Sequence, residues 1–379
     1  MGIRKLAAVT AVMAVVFAAC GGSAATTAPA TAAPATAAPA TAAPATEAPA
    51  TEAAAECVVG VSWNNYQEER WAKWDEPAVK AAIEAGGGKY ISNDAKSSAE
   101  AQASNVENLI SQGAKVVIVL AQDGTAIKPS VASAISNGVP VIAYDRLIED
   151  PQALYITFDN KLVGKMQAEA LLKVKDSGNF VVIKGNKADA NADFLRAGMV
   201  EAGLPPAGES TDKLKNVGEG YTDNWDPANA QKAMEQYLTA NDNKIDIAFV
   251  QNDGMAGGAI AALTAQGLAG SVPVSGQDGD LPALNRVALG TQTVDVWKDA
   301  RELGKAAGEA AIALCADPDI KKVAGVVQFP SPGGNDMTSI FLTPIPITKD
   351  NLNVVLDAGW IDQATLCKDV PAGSVAVCG

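Results

Sequence analysis

From residue 57 onward, the chain alternates short runs of β-forming residues with longer stretches in which apolar residues recur at helical spacing. The short runs predict buried strands and the longer stretches predict helices. In 161–175, Leu162, Met166, Ala170 and Val174 follow one another at four-residue steps and predict an apolar stripe that faces a sheet. The predicted strands are 58–63, 116–121, 139–145, 180–185, 245–253, 272–278 and 293–297, and the predicted helices include 97–113, 161–175, 229–241 and 254–267.

This alternation is typical of parallel β-sheets that are covered by helices on both faces. The strands are too numerous for one compact sheet of ordinary size, so the sequence predicts two doubly wound α/β domains. The periodicity alone does not place the boundary between them.

Hydrogen-bonding or charged residues follow most of the predicted strands at their carboxyl ends, where open α/β sheets bind ligands. A single aspartate there is most often a helix cap or turn residue, and a single Asp-Arg pair is most often a weak surface ion pair. The whole set is less easily explained in that way, because the topology brings these strand ends to one cleft. The set comprises Arg70, Trp71, Asp145, Arg146, Asp189, Asn191, Asn252, Asp278 and Lys298.

These residue types suit a polyhydroxylated ligand. Carboxylates accept hydroxyl hydrogens, cationic and amide side chains donate to hydroxyl and ring oxygens, and charge-assisted hydrogen bonds are about twice as strong as neutral ones. The flat face of a tryptophan packs well on the C–H face of a sugar ring, and Trp71 and Trp225 are candidates for that role. Trp63 and Trp74 are equally well explained as core residues. The ensemble predicts sugar binding.

Several other function classes fit the sequence poorly. The formal net charge of −14 disfavours nucleic-acid binding. The chain contains no histidine, which removes Ser-His-Asp and Cys-His catalysis and His-ligated zinc. The carboxylates are interleaved with Arg and Lys, which are expected to lower a carboxyl pKa rather than to raise it for the acid catalysis of a glycosidase. We therefore expect no catalytic residue, no metal and no cofactor.

Residues 1–20 resemble an export signal, because Arg4 and Lys5 precede an apolar run that ends at Cys20. We expect a lipoprotein signal peptide with a lipid attached to Cys20, and an ordinary cleaved signal peptide is the alternative. The Ala/Pro/Thr-rich repeat in 21–56 lacks large apolar side chains and predicts a disordered, extended tether. These features predict a lipid-anchored protein at the cell surface or the periplasmic face of the cytoplasmic membrane.

Four further cysteines favour disulfides over metal ligation in an exported chain, and their spacings fit no zinc motif. Four cysteines allow three pairings, and free buried thiols are the remaining alternative. Among the pairings we favour Cys367 with Cys378 and Cys57 with Cys315.

Short motifs along the body resemble the D-xylose-binding proteins of bacterial ABC sugar importers, which have the type I periplasmic-binding fold. The motifs are ERW (69–71), AYDRLI (143–148), ITFDN (156–160), FLRAGM (194–199), LTANDNKID (238–246), NDGMAGGAIAALTAQGL (252–268), SGQDGDL (275–281), GTQT (290–293) and LTPI (342–345). The similarity runs from about Val58 to Asn353, and the tail after about Asp362 has no counterpart.

The resemblance implies two α/β lobes joined by three hinge crossings, near Phe158–Asp159, Trp297–Lys298 and Ala324–Val327. The N-terminal lobe would comprise 57–158 and 299–325, and the C-terminal lobe 159–298 and 326–379. The stretch 184–193 departs most from the family, so the choice of sugar is least defined there. The implied sugar-binding residues are Arg70, Trp71, Asp145, Arg146, Asp189, Asn191, Trp225, Asn252, Asp278 and Lys298.

The implied function is a monomeric receptor that captures D-xylose, or a closely related aldose, in the cleft and delivers it to ABC permease subunits. One alternative is a sensor of the same fold that signals to a chemoreceptor or a kinase. A receptor for glucose or another aldose is a second alternative. A secreted carbohydrate-active enzyme is a third, and it would have to turn over a glycoside.

Overall fold

The computed structural model describes residues 56–379. The predicted signal peptide, the predicted lipidation site at Cys20 and all but the last residue of the predicted tether lie outside this range. The strands are β1 Val58–Trp63, β2 Lys89–Asp94, β3 Val116–Val119, β4 Val141–Tyr144, β5 Leu154–Phe158, β6 Gly178–Lys184, β7 Leu214–Tyr221, β8 Ile247–Val250, β9 Ser275–Gln277, β10 Val294–Trp297, β11 Val327–Pro330, β12 Asp336–Leu342 and β13 Ile345–Ile347. The α-helices are α1 Glu76–Ala85, α2 Ala99–Ser111, α3 Lys128–Ser136, α4 Asn160–Val174, α5 Asn191–Glu201, α6 Pro227–Ala240, α7 Asp253–Ala265, α8 Leu281–Leu289, α9 Ala300–Ala316, α10 Asn353–Asp357 and α11 Gln363–Leu366.

The strands form two sheets that are parallel except at one edge, as the alternating pattern predicts. The first sheet has the order β11-β12-β5-β4-β3-β1-β2, with only β11 antiparallel to its neighbour. The second has the order β7-β6-β8 followed by β9-β10-β13, and a bridge between Ala248 and Val274 joins the two halves. Strand β13 is antiparallel to β10. We call the parts of the chain built on these sheets the first lobe and the second lobe.

The chain passes between the sheets three times: after β5 at Asp159, after β10 at Lys298–Asp299, and after β12 at Thr343–Pro344. The expected third crossing near Ala324–Val327 is therefore wrong. The assignment of 326–379 to the C-terminal lobe is also wrong for β11 and β12, because β12 pairs with β5 in the first sheet. Only the pairing of a strand shows which sheet it joins.

The buried face of α4 differs from the predicted stripe. Val174 at the end of that stripe is 65% exposed, whereas Val163, Gln167 and Leu171 are buried. The side-chain NH2 group of Gln167 donates to carbonyl oxygens at the end of β8, which offsets part of the cost of burying this residue. A hydrophobicity pattern does not reveal a buried polar residue that is bonded in this way.

The predicted strands all appear, 58–63 with the same bounds and most of the others with shorter ones, and the pattern missed β2, β5, β7 and β11–β13. Strands β2 and β7 are only partly buried, so neither shows a continuous apolar run. No helix within residues 56–379 has the length and apolar character that a membrane crossing requires.

Two disulfides confirm the favoured pairings. Cys57, at the start of β1, is joined to Cys315 near the end of α9, and Cys367 is joined to Cys378. The first bridge therefore ties the beginning of the described chain to a helix that returns to the first lobe late in the sequence. The second closes the C-terminal segment.

Candidate functional site

The carboxyl ends of the parallel strands of both lobes surround a small polar cavity of about 260 Å³. The structure places all ten predicted site residues on its wall. Glu68 and Gln277 also line it, although neither is among the ten predicted site residues. Both stand next to selected residues, Glu68 just before the ERW motif and Gln277 just before Asp278, so proximity in sequence was the signal available.

The lobes contact each other around this cavity. Arg146 of the first lobe forms an ion pair with Asp189 of the second, with Nε 3.1 Å from Oδ2. Gln122 Nε2 of the first lobe donates to Asn224 Oδ1 of the second at 2.8 Å. The cleft is therefore closed, and its wall residues are almost completely shielded from solvent.

Arg70 lies at the centre of a buried ionic network. Its guanidinium makes a two-point contact with Asp75, Nε to Oδ2 at 2.9 Å and Nη2 to Oδ1 at 2.8 Å. The remaining nitrogen, Nη1, lies 3.2 Å from Asp145 Oδ2 and 3.3 Å from Asp278 Oδ1. The guanidinium carbon stands 4.3 Å from the ring centroid of Trp71, so Arg70 covers part of that ring itself. Arg70 thus orients carboxylates from both lobes.

Lys298 completes this network at a hinge crossing. Its Nζ is 2.8 Å from Asp278 Oδ1 and 4.0 Å from Asp145 Oδ2. Burial favours a neutral Asp145, but Lys298, Arg70 and Arg146 outweigh it and hold the pKa of Asp145 below its ordinary value. Asp145 is therefore a charged acceptor at neutral pH.

Arg146 organises the opposite side of the cavity. Its Nη2 pairs with Glu68 Oε1 at 3.1 Å, and the indole N–H of Trp71 donates to Glu68 Oε2 at 2.7 Å. Burial raises the pKa of Glu68, and burial also raises the pKa of Asp189 to about 6 in spite of Arg146. The expectation that interleaved cations lower the carboxyl pKa values is thus correct for Asp145 and wrong for these two residues, because the loss of hydration is the larger effect.

Trp225 presents its ring to the cavity from an unusual backbone conformation. Asn224 and Trp225 both have positive φ, +55° and +56°, which is costly for residues with side chains. The Trp225 indole donates to Asp189 Oδ2 at 3.2 Å. The ring lies so close to Gly185 that a Cβ at that position would stand 2.2 Å from it. Only glycine at 185 leaves the ring in this place.

The two asparagines have part of their hydrogen bonding fixed by the protein. Asn252 Oδ1 caps α7 by accepting from the Met255 N–H at 3.0 Å, and its amide nitrogen has no protein acceptor among the described residues. Asn191 donates to the Asp145 carbonyl at 3.1 Å. Gln277 Oε1 is buried without a hydrogen-bond partner within the described chain, so it offers an acceptor to a ligand hydroxyl.

Taken together, the groups at and behind the wall include more carboxylates than cations. The carboxylates belong to Glu68, Asp75, Asp145, Asp189 and Asp278, and the cations to Arg70, Arg146 and Lys298. A neutral ligand with many hydroxyl groups suits this arrangement, whereas an anionic ligand would meet an excess of negative charge. Residues 56–379 contain no cluster of acidic or cysteine side chains able to hold a metal ion.

A larger groove of about 900 Å³ lies beside the hinge. Its wall consists mainly of aromatic and proline side chains, among them Phe194, Phe329 and Phe341. It lacks the converging charged groups of the smaller cavity. The polar cavity is therefore the candidate site, although it is the smaller of the two.

Comparison with known proteins places this geometry in a family. Residues 59–318 match the periplasmic binding protein domain. The chain belongs to the periplasmic binding protein family. Its relatives include the D-xylose-binding periplasmic protein of Escherichia coli, which is 39% identical over 83% of this chain and 93% of that protein. The protein of the same name from Haemophilus influenzae is 36% identical over 78% of this chain and 87% of its own length.

Solved structures agree with the fold of this periplasmic binding protein. A carbohydrate transporter solute binding protein from Chloroflexus aurantiacus, in complex with D-glucose, superposes with a TM-score of 0.71 at 27% identity. The match covers 82% of this chain and 98% of the other.

Proposed function

We propose that this periplasmic binding protein captures D-xylose, or a closely related aldose, between its two lobes and delivers it to an ABC importer. The observation that carries the proposal is the closed polar cavity, in which charged and amide groups from both lobes converge. Carboxylates such as Asp145 and Asp278 accept sugar hydroxyls, and Arg70, Arg146 and Lys298 donate to sugar oxygens. Because both lobes bond the sugar, binding favours the closed form that a permease recognises.

The position of the cavity between the lobes supports a small sugar. Side chains of both lobes form its wall, and the lobes meet around it. The names of the Escherichia coli and Haemophilus influenzae relatives favour D-xylose, and the Chloroflexus aurantiacus complex supports D-glucose as the alternative. We propose binding without turnover of the sugar.

The proposal extends to the context of the protein. We propose that it acts as a monomer, exported and attached to the outer face of the membrane through a lipid on Cys20, with residues 21–56 as the tether. A sensor of the same fold that signals to a chemoreceptor or a kinase is the second candidate. Loss of sugar uptake after deletion of the gene supports transport, whereas normal uptake with loss of a sugar response supports sensing.

Calorimetric titration of the body, residues 56–379, tests the binding itself. We expect one-to-one binding of D-xylose, weaker binding of D-ribose and L-arabinose, and no binding of the anionic sugar D-glucuronate. Asp278→Asn removes an acceptor that Arg70 and Lys298 orient, so it should weaken D-xylose binding by about 2–5 kcal/mol. The exposed Asp212 supplies a matched control, and Asp212→Asn should leave the affinity unchanged. Tighter binding of D-glucose than of D-xylose would select the alternative sugar, and no heat with any aldose would refute the proposal.

A further inference from the structure

The turn that carries Asp278 has a backbone conformation that its own sequence does not favour. Asp278 has a φ of +107° and Gly279 a φ of +83°. For an aspartate this region is sparsely populated, so the turn needs support from its surroundings. The direction of the Asp278 carboxylate toward Lys298 and Arg70 depends on that support.

Both the backbone N–H and the backbone carbonyl of Gly279 form hydrogen bonds. Its N–H donates to Asp253 Oδ2 and to Asp295 Oδ1, each at 3.1 Å. Its carbonyl accepts from the indole N–H of Trp360 at 2.6 Å. A Cβ on Gly279 would lie 2.4 Å from Trp297 Cδ1, so the packing leaves no room for a side chain. Hydrogen bonds and close packing at Gly279 therefore fix the conformation of the turn.

Trp360 also contacts the segment of the first lobe that follows the predicted sugar-binding residue Arg70. Its ring stacks on Trp74 with the centroids 4.4 Å apart and the planes 25° from parallel. Trp74 lies within the single helical turn Trp71–Asp75, which directly follows Arg70. The guanidinium of Arg301 stands 5.1 Å from the Trp360 centroid and donates to the Ala358 carbonyl, which further fixes the ring.

We propose that Trp360 is a positioning residue for sugar binding. Its hydrogen bond to the Gly279 carbonyl fixes the turn that carries Asp278, and its stacking on Trp74 fixes the position of this turn relative to the segment that carries Arg70. Trp360 does not line the cavity, and it lies beyond the stretch 58–353 over which the sequence resemblance runs. The C-terminal segment between β13 and the end of the chain thereby contributes to affinity without touching the sugar. This inference rests on the proposed function and deepens it.

Trp360→Phe tests the inference, because phenylalanine keeps an aromatic ring for the stack and removes the indole N–H. We expect the Kd for D-xylose to rise about tenfold, since the Gly279 carbonyl loses a buried hydrogen bond and the turn becomes free to relax. Trp63→Phe is the matched control. Trp63 is also fully buried and its indole donates to the Tyr90 hydroxyl at 3.0 Å, but it lies in the core of the first lobe and does not line the cavity. Trp63→Phe should lower Tm and leave Kd within about twofold of the wild-type value.

A double-mutant cycle separates positioning from a general structural effect. In the Asp278→Asn background, where the positioned carboxylate is already removed, Trp360→Phe should change Kd by no more than about twofold. An equal tenfold effect in both backgrounds would overturn the inference, because the effect would then not pass through Asp278. An unchanged Kd for Trp360→Phe together with a lower Tm would overturn it as well. If the wild-type protein binds no aldose, the proposed function has failed first, and the two failures are distinguishable.

Hydrogen exchange of the indole N–H groups supplies a second measurement that needs no variant. We expect D-xylose to slow the exchange of the Trp360 indole proton, because the closed, sugar-bound form strengthens the contact with Gly279. The indole N–H of Trp63, which donates to the Tyr90 hydroxyl in the core of the first lobe, serves as the internal reference. Exchange at Trp360 that does not respond to the sugar would contradict the positioning role.

Discussion

Lys298→Met offers the most direct test of the ionic network, because one substitution removes the cation that the carboxylates of both lobes share. Methionine keeps an unbranched, buried side chain of similar length and removes the ammonium group, with its charge and its N–H donors. Lys298 Nζ lies 2.8 Å from Asp278 Oδ1 and 4.0 Å from Asp145 Oδ2, and all three side chains are at least nine-tenths buried. The substitution therefore leaves two buried carboxylates with Arg70 as their principal shared cation.

The size of the expected effect depends on two opposing contributions, the electrostatic attraction between Lys298 and the carboxylates and the cost of removing its ammonium group from water. At an effective dielectric constant of about 20, the attraction across 2.8 Å is roughly 6 kcal/mol, and across 4.0 Å roughly 4 kcal/mol. The cost of burying the ammonium group offsets much of this attraction, and removal of one partner from a buried pair typically costs about 2–5 kcal/mol. We therefore expect the Kd for D-xylose to rise by about 30-fold or more.

Isothermal titration calorimetry at neutral pH measures this change. Lys80→Met on α1 is the control, because Lys80 is 53% exposed and its contact with Glu84, at 3.9 Å, is a surface ion pair. Such a pair contributes about 0–1 kcal/mol to stability and is remote from the cavity, so the control should bind D-xylose normally. A loss of less than about threefold for Lys298→Met would refute the reasoning, since it would mean that desolvation cancels the attraction completely.

Two further predictions concern stability. The disulfide from Cys57 to Cys315 closes a separation of 258 residues and that from Cys367 to Cys378 a separation of 11, so chain entropy predicts losses of about 5.5 and about 3 kcal/mol on their removal. Urea unfolding of the Cys315→Ala and Cys367→Ala variants measures both, and a larger loss for the shorter loop would contradict the entropic argument. Burial raises the pKa of Asp75 from 3.8 to about 6, against the opposing effect of Arg70. The folded protein therefore holds this proton more tightly than the unfolded chain, so the contribution of Asp75 to stability is full below about pH 4 and is lost as the pH rises through 6. Relative to Asp75→Asn, the wild-type protein should lose about 3 kcal/mol of unfolding free energy between pH 4 and pH 7, and a constant difference across this range would show that the pKa is not raised.

The strand ends account for the success of the sequence analysis at the site. Asp145, Asn252 and Asp278 lie at the ends of predicted strands and Asp189 follows one shortly, and parallel strands bring their carboxyl ends to the same edge of a sheet. Sequence position and topology therefore identified most of the wall of the cavity, whereas Trp225 was selected for its stacking chemistry and by the family resemblance. Glu68 was missed because its segment after β1 is irregular, and the pattern does not state which of its polar residues turn inward.

The sequence-based predictions were wrong or incomplete where strand pairing or burial between distant parts of the chain determines the structure. The sequence pattern did not predict strands β11 and β12, and the pairing of β12 with β5 is what assigns them to the first sheet. The buried face of α4 includes Gln167, whose side-chain NH2 group donates to carbonyl oxygens at the end of β8. The role of Trp360 depends on contacts with Gly279 and Trp74, which are 81 and more residues away along the chain.

By itself, the sequence determined the class of fold and most residues of the candidate site, because alternating periodicity and residues at strand ends are local features of the chain. It favoured one set of cysteine pairs but did not decide among the three possible pairings. Only the tertiary structure decided where the third crossing lies and which support holds the Asp278 turn. It also decided the charge balance of the cavity. The pKa of Asp145 falls and that of Asp189 rises to about 6, although both residues follow strands and both stand near arginine. The difference lies in how the cost of burial compares with the attraction of nearby cations, and both quantities depend on distances that a sequence does not contain.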